Sequence, residues 1–344
     1  DSNGDGKDDL IVAAFYADPT SSIIGGGITF IVFGNSKTNL ESTVQLFELD
    51  GSNGFMLNGA NARDFSGWSV RTAGDFNGDG FDDLLIGKPE ESDSDAPTAY
   101  VYFGKSSGYA AEVELSSLNG SNGFALNGIP SSHLGYSVSN AGDVNGDGFD
   151  DLVVGAPKAN PMPHEPGSIA STIRAASSAG EAYVVFGKAS GHKATTNLNT
   201  LDDSAGFRIE GIDAGDQAGF SVSSTGDING DGYDDIIIGA PGAASSKGES
   251  YVIFGGDFTG NSTITGASGD DLITVTSTSI RTAAEVRDNP LTPGDVVNTS
   301  SSETRDPCLG NNSAPFLSYQ GDRSDLFSHS TFLDSMDDDD QKDM

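Results

Sequence analysis

Positive charge is scarce in this chain. Lysine and arginine together number 17 against 51 aspartates and glutamates, a formal charge of −34. That balance excludes a basic footprint for nucleic acid and attraction to anionic lipid. Cysteine is scarcer still: Cys308 stands alone, so no intrachain disulfide can form. No run of about 18 apolar residues occurs, so no membrane-spanning helix is expected. No signal peptide is visible, because the sequence opens at Asp1 inside a motif, and the start is expected to be processed or truncated. P-loops and dinucleotide-binding glycine motifs after a strand are missing too. Glycine is in excess, at 46 of 344 residues, roughly twice the usual share. A chain that turns so often leaves little room for long helices.

The glycines belong to an internal repeat. One nine-residue string recurs four times: DSNGDGKDD at 1–9, DFNGDGFDD at 75–83, DVNGDGFDD at 143–151 and DINGDGYDD at 227–235. Its flanks recur with it. GWSVRTAG (67–74), GYSVSNAG (135–142) and GFSVSSTG (219–226) precede the last three copies. LIVAAF (10–15), LLIGKP (84–89), LVVGAP (152–157) and IIIGAP (236–241) follow the four copies. Further on stand runs ending in FG at 34, 104, 187 and 255, and the shorter runs GFMLNG (54–59), GFALNG (123–128) and GFRIEG (206–211). Each unit thus offers four short strands between turn residues. The run after each Asp pair is continuously apolar and is expected to be buried on both faces. Four strands with a doubly buried inner strand fit a propeller blade, an all-β architecture, and no 3.6-residue period supports a helical solenoid. The units fall at about 1–59, 60–128, 129–211 and 212–256. Segment 158–180 carries an insertion of about 15 residues relative to the other units. Beyond 257 glycine becomes rare and Ser, Thr, Asp and Asn dominate. Residues 257–344 are expected to form a poorly ordered tail, with one or two extra strands at 262–275.

The nine-residue string reads as a cation loop. Oxygen-bearing side chains occupy its positions one, three, five and nine: Asp1, Asn3, Asp5 and Asp9; Asp75, Asn77, Asp79 and Asp83; Asp143, Asn145, Asp147 and Asp151; Asp227, Asn229, Asp231 and Asp235. Position seven (Lys7, Phe81, Phe149, Tyr233) supplies a backbone carbonyl, so its side chain is expected to vary freely. Glycine at position six permits the sharp turn. With hard oxygens only, and no His or Cys, the set selects Ca²⁺; up to four ions are expected. Three carboxylates about 5 Å apart repel by roughly 10 kcal/mol in total at an effective dielectric of 20, a sign that a divalent cation reverses. An EF-hand is excluded, because position twelve is Val12, Ile86, Val154 or Ile238 rather than an acid. The acid at position eight (Asp8, Asp82, Asp150, Asp234) is read as a turn residue or a solvent-facing charge.

These residues resemble the FG-GAP, or integrin-alpha, repeat family. The FG-like start reads SGW (66–68), LGY (134–136) and AGF (218–220), and the GAP-like end reads GKP (87–89), GAP (155–157) and GAP (239–241). The Asp-rich loop lies between them, and the resemblance covers residues 1–256. It implies a seven-bladed β-propeller at a cell surface or outside the cell, Ca²⁺ in loops within blades, and adhesion or binding of a protein or carbohydrate ligand. Only four loops are present, so the resemblance implies either a piece of a longer propeller or a smaller, open arrangement. Gly266, Gly269, Asp270 and Asp271 resemble one start of the Gly-rich nonapeptide repeats of bacterial relatives.

The chain is read as a binding module and not an enzyme. The alternatives are an accessory propeller of a secreted hydrolase or lyase, which requires a convergent set of titratable groups outside the loops, and a passive spacer. No such set is evident from the sequence. The four histidines (His133, His164, His192, His329) are read as surface residues. Trp68, Tyr136 and Phe220 share one repeat position and are read as inter-blade packing, with a sugar-stacking platform as the rival. His164, Glu165 and Arg174 in the insertion mark the favoured partner contact. Cys308 and the acidic run 337–340 are assigned no chemistry.

Overall fold

The computed structural model describes residues 1–34, 43–89, 98–161, 177–202, 204–258, 263–266 and 273–276. Within them the chain is all-β, folded into four sheets that follow one another as blades. The first holds β1 (Leu10–Ala14), β2 (Ile28–Val32), β3 (Gly54–Asn58) and, further along the chain, β7 (Glu112–Glu114). The second runs β4 (Ser69–Gly74), β5 (Asp83–Lys88), β6 (Thr98–Tyr102), β8 (Gly123–Asn127) and β12 (Thr195–Asn197). In the third, β9 (Ser137–Gly142), β10 (Asp151–Ala156), β11 (Glu181–Val185) and β13 (Gly206–Glu210) continue into β17 (Thr263–Gly266) and β18 (Ile273–Thr276). The fourth holds β14 (Ser221–Gly226), β15 (Asp235–Ala240) and β16 (Glu249–Ile253).

The blades depart from simple four-stranded units. Successive strands within a repeat pair antiparallel, but β7, β12 and β17 each pair parallel with the outer strand of the preceding blade. Each of these blades therefore borrows a strand from chain further on. Side chains alternate between two inter-blade cores. Leu84 and Ile86 of β5 pack with Ile31, Phe55 and Leu57 of the first blade. Leu85 points the other way, into a core with Leu152 and Val154 of the third. Val153 in turn faces Ile236 and Ile238 of the fourth. The period of two thus sorts each buried strand between its neighbours.

Double burial holds where a blade has neighbours on both sides: β5 and β10 are buried along their whole length. In β1 and β15 residues remain exposed or half-exposed, since among the described residues each has a blade on one side only. The inner strands β4, β9 and β14 lie side by side, with β1 against β4. Each nine-residue string after the first links an inner strand to the next strand of its blade, so the four loops share one end of the blades.

Candidate functional site

Each loop is a ladder of side chains accepting its own backbone N–H groups. In the second loop Asp75 Oδ1 accepts from Asp79 N at 2.8 Å and Asp75 Oδ2 from Gly80 N at 2.9 Å. Asn77 Oδ1 also accepts from Asp79 N, at 2.9 Å, and Asp79 Oδ1 accepts from Phe81 N at 3.0 Å. The same bonds recur at Asp1, Asn3 and Asp5, at Asp143, Asn145 and Asp147, and at Asp227, Asn229 and Asp231. Glycine at position six sits at φ between +79° and +93°, with no neighbour that would exclude a Cβ, so the dihedral alone requires it.

Position nine is the buried floor of the loop. Asp83, Asp151 and Asp235 are fully buried. Their Oδ1 atoms accept the N–H of the FG glycines Gly104, Gly187 and Gly255 at 2.8–2.9 Å, as Asp9 does from Gly34. The acid therefore ties its loop to the end of the third run of its own blade, where the FG glycine is required because a Cβ would lie 2.4–2.5 Å from the carbonyl oxygen of Asp8, Asp82, Asp150 or Asp234. Burial, with the nearby loop carboxylates adding to it, pushes Asp83 and Asp151 up to about 8.

The donor set fits a hard cation. Every carboxylate oxygen has two lone pairs, so an oxygen accepting one N–H keeps capacity for an ion. Asp83 and Asp151 are raised chiefly by burial, with the loop carboxylates as a smaller cause. Among the described residues, however, no three acidic, histidine or cysteine groups converge into a ready cage. The oxygens at positions one, three and five are engaged by the loop itself.

Positions two, seven and eight carry roles that sequence reasoning missed. The acid at position eight belongs to the preceding loop. Asp150 Oδ2 accepts from Asp75 N at 2.8 Å, Asp234 Oδ2 from Asp143 N at 2.9 Å, and Asp82 Oδ2 from the Asp1 nitrogen at 2.6 Å. These three are inter-blade links, which corrects their reading as turn or solvent-facing residues; Asp8 alone is exposed. Nor is position seven free to vary. The rings of Phe81, Phe149 and Tyr233 lie on Gly4, Gly78 and Gly146 of the preceding loop, where a Cβ would come within 2.3–2.6 Å of a ring carbon. Lys7 instead pairs with Asp5 at 2.9 Å. Position two completes the seam. Ser2, Phe76 and Val144 are buried, and their carbonyls accept from Lys105 N, Lys188 N and Gly256 N at 2.8–3.0 Å. Ile228, with no described blade beyond it, is 56% exposed. The recurring glycine before each loop was the available signal: a Cβ on Gly74 or Gly142 would strike Asp150 or Asp234.

At the far end of the inner strands lies an aromatic row. Phe15 meets Trp68 at 5.2 Å, Trp68 meets Tyr136 at 5.6 Å and Tyr136 meets Phe220 at 4.9 Å between centroids. The rings do touch across blades. Yet Trp68 is 41% and Phe220 39% exposed, so the reading as core packing is corrected to a half-open surface. Six residues of strand separate this row from the Asp loops, about 20 Å at the usual rise.

Two further clusters were not foreseen. Glu181, Tyr183, Arg208 and Glu210 meet in the third blade, through cross-strand pairing of β11 and β13. Burial pushes Glu181 up, against the pull of Tyr183 and Arg208. This titratable set lies outside the loops and corrects the expectation that none exists. His192 is no plain surface residue either: it stacks on Phe124 at 5.3 Å and lines a cavity of about 490 Å³ between the second and third blades. In the second blade Lys88 stands where the later units carry Ala156 and Ala240, and it forms a buried ion pair with Asp64 at 3.0 Å. His164, Glu165, Arg174, Cys308, His329, Gly269, Asp270, Asp271 and residues 337–340 lie outside the described residues.

Comparison with known proteins agrees with this architecture. The sequence model described as FG-GAP repeat matches residues 66–103, 134–185 and 218–253, the last three of the four units. The chain is 28% identical to integrin alpha-4 of Xenopus laevis over 169 residues, 49% of this chain and 14% of that protein. It is 28% identical to integrin alpha-PS2 of Drosophila melanogaster over 194 residues, 56% of this chain and 12% of that protein. To integrin alpha-7 of Homo sapiens it is 24% identical over 233 residues, 66% of this chain and 17% of that protein. The chain thus spans less than a fifth of the length of these curated relatives. With three matched repeats, integrin alpha relatives and propeller-type sheets in hand, the chain belongs to the FG-GAP, or integrin-alpha, repeat family.

Proposed function

We propose that this chain is a calcium-binding, ligand-binding module of an extracellular or cell-surface protein. The observation that carries the reading is the loop itself, repeated four times with the same hydrogen bonds and a set of hard oxygens. Residues at positions one, three, five and nine would hold Ca²⁺, joined by the carbonyls of Lys7, Phe81, Phe149 and Tyr233. The ion supplies positive charge that offsets the loop carboxylates and so stiffens the seam between blades. Four ions would bring the formal charge from −34 to −26. Extracellular modules commonly take calcium at about 10⁻⁴ to 10⁻³ M, a level that leaves such loops empty in cytosol. Lacking a disulfide, the chain has the metal as its natural staple.

Ligand contact is assigned to the half-exposed row Phe15, Trp68, Tyr136 and Phe220, on the end of the blades away from the loops. Flat rings of this kind suit an apolar protein side chain or the face of a sugar. The Glu181 cluster is what favours the rival reading, an accessory domain of a hydrolase or lyase; its Arg208 partner and its burial fit a structural ion-pair network better.

Calorimetric titration with CaCl₂ tests the metal part. Uptake of up to four ions with a rise in melting temperature is expected, and Asp147→Ala should remove one ion. Neither uptake nor a shift in melting would refute it. Glycan and protein arrays in calcium and in chelator test the ligand part: hits lost in Trp68→Ala and Phe220→Ala at unchanged melting support it. Array hits that survive both substitutions would move the ligand site elsewhere, and an absence of hits favours a spacer.

A further inference from the structure

Resting on the calcium reading, we infer that each loop's affinity for the ion is set by the blade that follows it, with the position-eight carboxylate as the positioning residue. Asp150 belongs by sequence to the third loop, yet its Oδ2 holds the backbone N–H of Asp75, the first residue of the second loop, at 2.8 Å. Asp234 does the same for Asp143 at 2.9 Å. Both carboxylate oxygens at position one accept N–H groups of their own loop, while the N–H of position one is held from outside, by the neighbour's acid. The space is reserved for it: a Cβ on Gly74 would lie 2.1 Å from Asp150 Oδ2, and one on Gly142 would lie 2.0 Å from Asp234 Oδ2. A ring from the same neighbour covers the loop at Gly78 and Gly146.

The arrangement is directional. The second loop depends on the third blade and the third loop on the fourth, while Asp227 of the fourth loop has no such carboxylate among the described residues.

Loop-resolved calorimetry on the full chain tests this. Asp79→Ala disables the second loop and Asp147→Ala the third. With the third loop disabled, Asp150→Ala should weaken one remaining site about tenfold or more, the scale of a lost hydrogen bond to a charged group. With the second loop disabled, Asp150→Ala should leave the remaining sites unchanged. Asp150→Asn, which keeps an acceptor, should recover much of the affinity. Asp234→Ala, with the second loop disabled, should weaken the third loop and provides an independent variant should Asp150→Ala fail to fold. Weakening by Asp150→Ala that persists without the second loop, or that falls on the third loop, overturns the inference while the calcium reading stands. A wild-type chain that takes up no calcium overturns both.

Discussion

Gly78 and Gly230 hold the same place in two loops and the same backbone conformation, φ +71° and +77°. They differ in one respect. An alanine Cβ at 78 would lie 2.3 Å from Phe149 Cε1, whereas nothing lies within 4 Å of one at 230. Replacing either by alanine costs about 1–2 kcal/mol for a left-handed residue. About 0.4–1 kcal/mol returns through the stiffer unfolded chain. Gly230→Ala should therefore cost between about 0 and 1.6 kcal/mol. Gly78→Ala adds a clash with the half-exposed ring of Phe149, at most the roughly 1–3 kcal/mol of an overpacked core. The difference between the two variants is thus at most about 1–3 kcal/mol, or roughly 2–10 °C in melting midpoint for a chain of this size.

The assay is thermal unfolding in millimolar calcium, followed by circular dichroism. Gly78→Ala should melt below Gly230→Ala. Phe149→Ala placed on Gly78→Ala should narrow the gap, since the clash is pairwise and the two changes will not add. Equal midpoints for the two glycine variants would refute the claim that the ring of one blade is seated on the loop of the previous one.

Two other perturbations follow from the same contacts. Asp83 and Asp151 titrate near 8 in the folded metal-free chain against about 4 when unfolded, so the folded form binds more protons between those values. In chelator, stability should fall as pH rises from about 4 to 8, by up to about 1.4 kcal/mol per pH unit for each group; calcium should flatten or reverse that slope, and chelated melts that improve with pH would contradict it. Lys88→Ala should cost about 3–5 kcal/mol by stranding buried Asp64, and Asp64→Asn on the same chain should restore most of it; urea titrations of the single and double variants check this.

The strands and the tight glycine turn of the loop were legible because they obey short-range rules. A period of two buries β5 and β10, and alternating acids around a positive-φ glycine make a turn. What escaped the sequence depends on how one blade is rotated against the next. The spacing of Asp150 within its own string gives no hint that its partner is Asp75, 75 residues earlier. The strands β7, β12 and β17 sit at the end of chain connections and pair backward, a choice set by which outer edge is near. Trp68 and Phe220 look like core residues by composition, and only their place at the end of the inner strands leaves them half open. Glu181 and Arg208 lie far apart in sequence and are neighbours by ladder register. A partial signal was present: aromatic residues recur at position seven in the three repeats whose rings lie on the preceding loop, Phe81, Phe149 and Tyr233.

The loop solves two problems with one alternating pattern. Side chains at one, three, five and nine turn inward and offer oxygens; positions two, four and eight face the adjoining blades, as a buried side chain, a bare glycine and a carboxylate for the loop before. Position seven divides its work, its carbonyl on the ion side in the proposed site and its ring on the neighbour. A single residue inserted after Gly78 would displace Asp79, Phe81, Asp82 and Asp83 by one place against Asp75 and Asn77, which stay where they are. The bond from Asp79 N to Asp75, the seat of Asp83 under Gly104 and the reach of Asp82 to Asp1 could not all be kept, so the proposed metal site and the blade contact of Asp82 would be lost together. The nine-residue length is therefore fixed by the need to serve both sides at once, and loss of either alone upon such an insertion would show that the two are independent.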